Sequence, residues 1–152
     1  MRLTATYAVS SSLSLGVEWN PLAEDIGVLA NWRALDETES RPALVFGTSS
    51  DRIGSASGRA YYGTLSKDLE AWTGLPVAPY AGVTYGEFED ELRFIGGLNI
   101  RWSERWASAH LWDGVNLHHV VDRQLSDSTT FGVVAAEQEG SYYLGIRVSV
   151  SP

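Results

Sequence analysis

The strongest feature of the sequence is an alternation of apolar and polar residues with a period of two, repeated in segments along the chain. Such alternation places every second side chain on the same face of a β-strand. It is clear in residues 3–9, 13–19, 26–32, 77–85, 92–102 and 142–150, and weaker in residues 43–48, 59–66, 106–112, 115–125 and 129–137. The pattern predicts an all-β fold of roughly ten strands.

Short polar segments separate these strands and carry residues typical of turns. Examples are residues 10–12, 20–21, 36–41, 86–91 and 113–114, where Gly, Pro, Asn, Asp and Ser favour reversal of the chain. Only residues 65–72 have a partly helical pattern. No linker divides the chain, so we expect one domain over residues 1–152. Because both terminal segments alternate strongly, we expect them to pair and to close an antiparallel up-and-down β-barrel of about 8–10 strands.

The polar face of the predicted strands is built mainly of small residues. Gly, Ser, Thr and Asn dominate it, with arginines at intervals, and Lys67 is the single lysine of the chain. A sheet that faces solvent usually carries many Lys and Glu, which solubilise it and protect its edges. Their scarcity favours a polar face that is enclosed in the barrel, with aliphatic and aromatic residues facing outward.

Charged and aromatic residues of the strands supply the candidate functional positions. The candidates for a charged network in the lumen are Glu18, Arg33, Arg93, Arg101 and Arg147. We expect them to serve packing rather than an anion-selective constriction, since a barrel of about ten strands leaves little open lumen. Trp19, Trp32 and Trp102 lie at or near strand ends, where indole rings suit a membrane–water boundary. The alternative is that these tryptophans cap a soluble barrel.

With this pattern over nearly its whole length, the chain resembles small bacterial outer-membrane β-barrels, and residues 47–54 resemble a segment of uncharacterised bacterial envelope proteins. The resemblance implies a bacterial outer-membrane location, contact with lipid or detergent, and a non-enzymatic structural or interaction role. Apolar runs are too short for a membrane helix, so we expect any span to be made of strands. The first residues lack the features of a signal peptide, so we expect the mature form of an exported protein.

Composition and charge narrow the function classes further. The 152 residues are 44% hydrophobic, contain no cysteine and carry a formal charge of -8. A disulfide framework, a thiolate nucleophile and a cysteine zinc site are therefore excluded. The negative charge makes nucleic acid an unsuitable partner, because affinity for phosphates comes mainly from Lys and Arg. The acidic connection with Glu87, Glu89, Asp90 and Glu91 is expected to be a solvated loop that could contact other envelope proteins.

The histidines form the one cluster that resembles a metal or acid–base site: His110, His118 and His119 with Asp113 and Asp122. If residues 115–125 form one strand, His118 and His119 face opposite sides, and the spacing is poor for a metal. No Gly-x-Ser-x-Gly motif is present. We therefore expect neither an enzyme nor a cofactor. Two alternatives stay open: a soluble lipocalin-like barrel whose apolar face lines a pocket for a small apolar ligand, and a barrel hydrolase that uses one histidine.

Overall fold

The computed structural model describes residues 2–21, 24–51, 58–138 and 140–151. Within these residues the chain forms eleven strands and one short helix. The strands are β1 (Arg2–Ala8), β2 (Leu13–Asn20), β3 (Asp25–Leu35), β4 (Ala43–Ser50), β5 (Arg59–Ser66), β6 (Val77–Gly86), β7 (Glu91–Arg101), β8 (Trp106–Trp112), β9 (Leu117–Ser126), β10 (Thr129–Gln138) and β11 (Ser141–Val150). Helix α1 (Glu70–Thr73) lies between β5 and β6.

The strands close into a single barrel, which confirms the predicted fold class. Each strand pairs antiparallel with its neighbour in sequence, and β1 completes the sheet by pairing with β11. This closing pair is parallel, with Leu3 opposite Ile146 and Tyr7 opposite Val150. An odd number of up-and-down strands leaves the first and last strands pointing the same way. The predicted pairing of the terminal strands is thus confirmed; the barrel has eleven strands where about 8–10 were predicted, and all its pairs but this one are antiparallel.

Every segment with period-two alternation is a strand in the structure, and helical structure is shorter than predicted. Helix α1 spans only four residues and ends at Gly74, whose φ of 69° is accessible to glycine without strain. Leu65 belongs to β5 instead. Of the glycine- and serine-rich connection at residues 54–58, only Gly58 lies inside the described residues, and residues 47–54 are described only as far as Asp51.

The two ends of the barrel differ in charge. We call the end at which β1 begins the N-terminal rim; its connections follow β2, β4, β6, β8 and β10. The end at which β11 finishes is the C-terminal rim. The described acidic residues of the N-terminal rim are Glu24, Asp25, Asp51, Glu87, Glu89, Asp90, Glu91, Asp113 and Glu137, whereas the arginines with described side chains at this rim are Arg59 and Arg93. At the C-terminal rim, Arg33 pairs with Asp36 and Lys67 with Glu37, both at 2.8 Å. Negative charge is therefore concentrated at the N-terminal rim.

The two walls of the barrel have inverted polarity compared with a soluble protein. On the outer wall, Phe94 is 76% exposed, Leu92 71% and Val28 62%. Among the described residues the only large side chain that is fully buried is Glu18, which is 1% exposed. Alternation along each strand produces this division because successive side chains point to opposite faces of the sheet. Apolar residues therefore cover the outside, and most of the residues that line the inside are polar.

Candidate functional site

The lumen contains a cavity of about 880 Å³ that reaches towards both rims. Most of its lining residues carry hydroxyl, amide or charged side chains, and aliphatic residues such as Leu29, Ile95, Leu111 and Val134 lie among them. Hydroxyl and amide residues in it include Thr6, Ser14, Asn31, Thr64, Thr84, Asn99 and Ser149. The polar side chains of this surface can hydrogen-bond to water or to polar solutes.

One polar contact crosses the lumen wall from β5 to β3. The Tyr62 hydroxyl donates to Asn31 Oδ1 at 2.6 Å. Tyr62 lies opposite Gly47 on the intervening strand β4, where a Cβ atom would come within 2.5 Å of the tyrosine ring. Glycine at this position therefore lets the ring cross the strand and reach its partner.

Glu18 lies at the N-terminal end of the lumen among groups of three strands. Its Oε1 accepts a hydrogen bond from the Ser50 backbone N–H at 3.0 Å. The Arg59 guanidinium enters the same region and donates to the carbonyl of Val28, passing over Gly27. A carboxylate this deeply buried is stable only when donors surround it, so the cluster ties β2, β3, β4 and β5 together at this rim.

Arg147 and Asp122 form an ion pair on the wall of the lumen. Arg147 Nε donates to Asp122 Oδ1 at 2.8 Å, and Nη2 donates to Oδ2, so the contact is bidentate. The two residues lie on β11 and β9, with Gly132 of β10 between them in register. A Cβ at Gly132 would lie 2.1 Å from Asp122 Oδ1. The glycine thus makes room for a charge pair that spans three strands.

The other predicted lumen arginines have partners at the rims. Arg93 is near the N-terminal rim and pairs with Glu89 at 2.8 Å and Glu91 at 3.0 Å. Arg33 and Arg101 are exposed at the C-terminal rim, where Arg101 pairs with Glu70. Each of these arginines therefore has its own carboxylate. A joint role of Glu18, Arg33, Arg93, Arg101 and Arg147 as one network stays a prediction.

The tryptophans gather near the two ends of the outer wall. Trp19 is the penultimate residue of β2, near the N-terminal rim, whereas Trp32 and Trp102 lie near the C-terminal rim. All six tryptophans of the chain are between 44% and 66% exposed. Indole rings at two levels, separated by an aliphatic band, are the arrangement found where a barrel meets two membrane–water interfaces. A function of Trp19, Trp32 and Trp102 at such interfaces stays a prediction.

His118 and Asp113 form a polar pair that lines the cavity at the N-terminal rim. Their Nε2 and Oδ2 atoms are 2.7 Å apart. Asp113 Oδ1 also accepts from the backbone N–H groups of Val115 at 2.9 Å and Asn116 at 2.7 Å. Burial alone raises the pKa of Asp113, but these three donors together lower it to about 2. The carboxylate therefore stays ionised and fixes the turn between β8 and β9.

A second polar group lies on the outer wall. Ser108 Oγ is 3.2 Å from His110 Nε2, and His110 Nδ1 is 2.8 Å from His119 Nδ1. Trp102 Nε1 donates to Ser108 Oγ at 2.8 Å. The predicted histidine cluster is thus divided between the two walls, with His118 inside and His110 and His119 outside. Among the described residues, no three His, Cys, Asp or Glu side chains are placed to hold a metal.

Sequence reasoning missed Ser108, although its signal was present. Ser108 and His110 are two residues apart on one strand, so period-two alternation places both on the same wall. What the sequence did not supply was the register that brings His119 opposite His110.

Comparison of the chain with known protein families, curated proteins and solved structures finds no match. In the described part of the chain, no helix is long and apolar enough to cross a membrane. The fold and the geometry of its polar groups therefore carry the functional argument.

Proposed function

We propose that this chain is a membrane-embedded β-barrel of the bacterial outer-membrane type with a structural or interaction role in the cell envelope. The observation that carries the proposal is the inverted polarity of its walls. Soluble monomers rarely expose contiguous apolar patches larger than a few hundred Å², whereas here aliphatic and aromatic side chains cover the outside of the barrel. Hydrocarbon is the solvent that such a surface matches.

Strand length supports the same proposal. Strands β3, β6, β7, β9, β10 and β11 contain 10 or 11 residues each, and the other five contain 7 or 8. A tilted membrane strand needs about 9–11 residues to cross the hydrocarbon core. The barrel also leaves no sheet edge, which satisfies the backbone hydrogen bonds that lipid cannot accept.

The acidic N-terminal rim is the proposed interaction surface. Glu87 and Asp90 lie in its β6–β7 connection and are both exposed. Glu87 accepts hydrogen bonds from the Arg59 backbone and the Tyr61 hydroxyl, which holds the loop in a defined shape. A rigid, negatively charged rim favours a basic partner surface among other envelope proteins.

The alternative of a soluble barrel for a small apolar ligand has less support. It requires the apolar face to line the pocket, but Asn31, Thr64 and Arg147 line the cavity. An apolar ligand in this cavity would displace water from polar groups without replacing its hydrogen bonds.

Single-cysteine labelling tests the membrane proposal directly, because the chain contains no native cysteine. Phe94→Cys and Leu144→Cys place a thiol on the outer wall, and Thr64→Cys is the matched control in the lumen. In phospholipid vesicles, an environment-sensitive dye on the outer-wall positions should be quenched by lipid-bound spin labels, while Thr64→Cys should react with a water-soluble thiol reagent. Outer-wall thiols that stay in water in the presence of vesicles would contradict the proposal.

A further inference from the structure

The polar group on the outer wall stands apart from its surroundings. Ser108 lies in register with Ile100 on one side and Val121 on the other, and His110 lies in register with Leu98. Most of the remaining outer wall around this group is apolar, and Arg123 lies beside it over the Trp106 ring. Polar and ionisable side chains that face lipid cost free energy and are typical of functional sites. Packing of the barrel does not require a serine and two histidines at these positions, because aliphatic residues serve there on the neighbouring strands.

The hydrogen bonds of the group admit proton positions in which His110 Nε2 accepts from the serine hydroxyl. Trp102 Nε1–H donates to Ser108 Oγ. The serine hydroxyl can then donate to His110 Nε2, while Nδ1–H of the same ring donates to His119 Nδ1. In this arrangement the base that faces Ser108 carries a free electron pair, and the second histidine fixes the orientation and tautomer of the first.

We propose that Ser108, His110 and His119 form a nucleophile, general base and positioning residue that hydrolyse acyl esters at the membrane surface. A nucleophile within hydrogen-bond reach of a base that a third group orients is the geometry of covalent acyl transfer. The proposal goes beyond the structural role proposed above and departs from the expectation that the chain is not an enzyme. Its lipid substrate class rests on the membrane proposal, while its chemistry does not.

The reaction takes place in two balanced halves. Ser108 Oγ attacks the ester carbonyl carbon and gives its proton to His110 Nε2. The tetrahedral intermediate collapses, the C–O bond to the alcohol breaks, and the alcohol leaves with the proton from His110. Water then attacks the acyl-serine, again giving a proton to His110 Nε2, and the Ser108 oxygen takes that proton as the free carboxylic acid departs. His119 touches only His110 and is therefore a positioning residue.

Trp102 is placed to assist at the start of the reaction. Ser108 is 5% exposed, and its hydrogen bond holds the indole against the hydroxyl. A substrate carbonyl oxygen that takes over the Trp102 N–H brings its carbon next to Oγ. That N–H then donates to the oxygen on which negative charge develops, which is the function of an oxyanion hole.

The depth of the group matches the ester bonds of a glycerolipid. Ser108 is two residues from Trp106, at the C-terminal rim end of β8, a distance of about 7 Å along a strand. Lipid esters lie just below the headgroups, at the level where tryptophan rings collect. An acyl ester of a membrane lipid is therefore the substrate class that this position favours.

Ester hydrolysis by the full chain folded in non-ionic detergent tests the catalytic set. The two substrates are 4-nitrophenyl butyrate, which is soluble, and vesicles of dioleoyl phosphatidylcholine. Ser108→Ala should reduce turnover to the buffer rate, and His110→Ala should lower kcat by about 10²–10⁴-fold. Ser14→Ala makes the same chemical change on the lumen side and should leave turnover unchanged. A fluorophosphonate should add to Ser108, with loss of fluoride, in the wild type but not in Ser108→Ala.

His119→Ala should lower kcat while leaving KM unchanged, and His119→Asp should restore part of the rate because a carboxylate can also accept from His110 Nδ1–H. Circular dichroism of each variant establishes that the barrel is folded. Turnover that persists in Ser108→Ala, or a folded wild type that neither hydrolyses an ester nor reacts with the fluorophosphonate, overturns the proposal. Hydrolysis of the soluble ester by a barrel that stays monodisperse in buffer supports the catalytic set and overturns the membrane proposal. A barrel inserted in vesicles that cleaves only the soluble ester overturns the lipid substrate.

Discussion

The inner and outer walls of this barrel are made by the same strands but follow opposite rules. On the inner wall charged residues pair with each other, as Arg147 does with Asp122 across Gly132. On the outer wall apolar groups such as Phe94 are left uncovered. In a soluble protein the apolar wall would be the one removed from water. Period-two alternation therefore indicates that each strand has two faces, whereas the residue types of the polar face indicate which of the two is enclosed.

Of the changes that test the difference between the two walls, a charge in the middle of the outer wall should lower the free energy of unfolding most. Val133 is the fifth residue of β10 and points outward. In a bilayer, Val133→Arg should lower the free energy of unfolding by about 2–4 kcal/mol, because arginine must leave water for hydrocarbon. Leu92→Arg, at the N-terminal rim, is the matched control and should cost about 0–1 kcal/mol. Urea unfolding from phospholipid vesicles measures both, and equal small losses would mean that the outer wall faces water.

Loss of the lumen ion pair should have an intermediate effect on the free energy of unfolding. A double-mutant cycle with Asp122→Asn and Arg147→Met should give a coupling free energy of about 1–3 kcal/mol, since the bidentate pair is partly shielded by the lumen. The exposed pair of Arg33 and Asp36, at 2.8 Å, serves as control and should give about 0–1 kcal/mol. Denaturant unfolding of the two cycles checks the order; a coupling no larger than that of the exposed pair would show that the lumen does not shield its charges.

The smallest effect should come from pH at the turn between β8 and β9. The pKa of Asp113 is lowered to about 2 in the folded chain, from 3.8 for the free group. Its contribution to stability is therefore present above about pH 4 and is lost as pH falls through about 2. Asp113→Asn should be less stable than the wild type at neutral pH, and the difference should shrink between pH 4 and pH 2. If the difference stayed constant over this range, the ionisation of Asp113 would not contribute to the stability of the turn.

Much of the architecture could be predicted from the sequence because it depends on local alternation. Strand positions, closure by the terminal segments and the enclosed polar face follow from residues that lie close together in the chain. The parallel closing pair could not be predicted in the same way, since it depends on whether the total number of strands is odd. If one weak segment is added to or removed from the predicted strands, the predicted closing pair changes from parallel to antiparallel.

The hairpin of β8 and β9 shows why the outer-wall group escaped prediction. A two-residue turn at Asp113 and Gly114 would place His110 opposite residue 117. In the structure the turn has four residues, because the Asp113 carboxylate accepts from the N–H groups of Val115 and Asn116. His110 therefore lies opposite His119. A shift of two residues keeps every side chain on its wall but changes its neighbour, so the alternation alone could not have shown this contact.

The parallel pairing of β1 with β11 also determines where attachments to the chain can go. Because both strands run in the same direction, Arg2 lies at one rim and Val150 at the opposite rim. In a barrel that spans a membrane, a peptide tag before β1 and another after β11 would emerge on opposite sides. A protease added to sealed vesicles would then remove one tag and spare the other, whereas a barrel with an even number of up-and-down strands would lose or keep both.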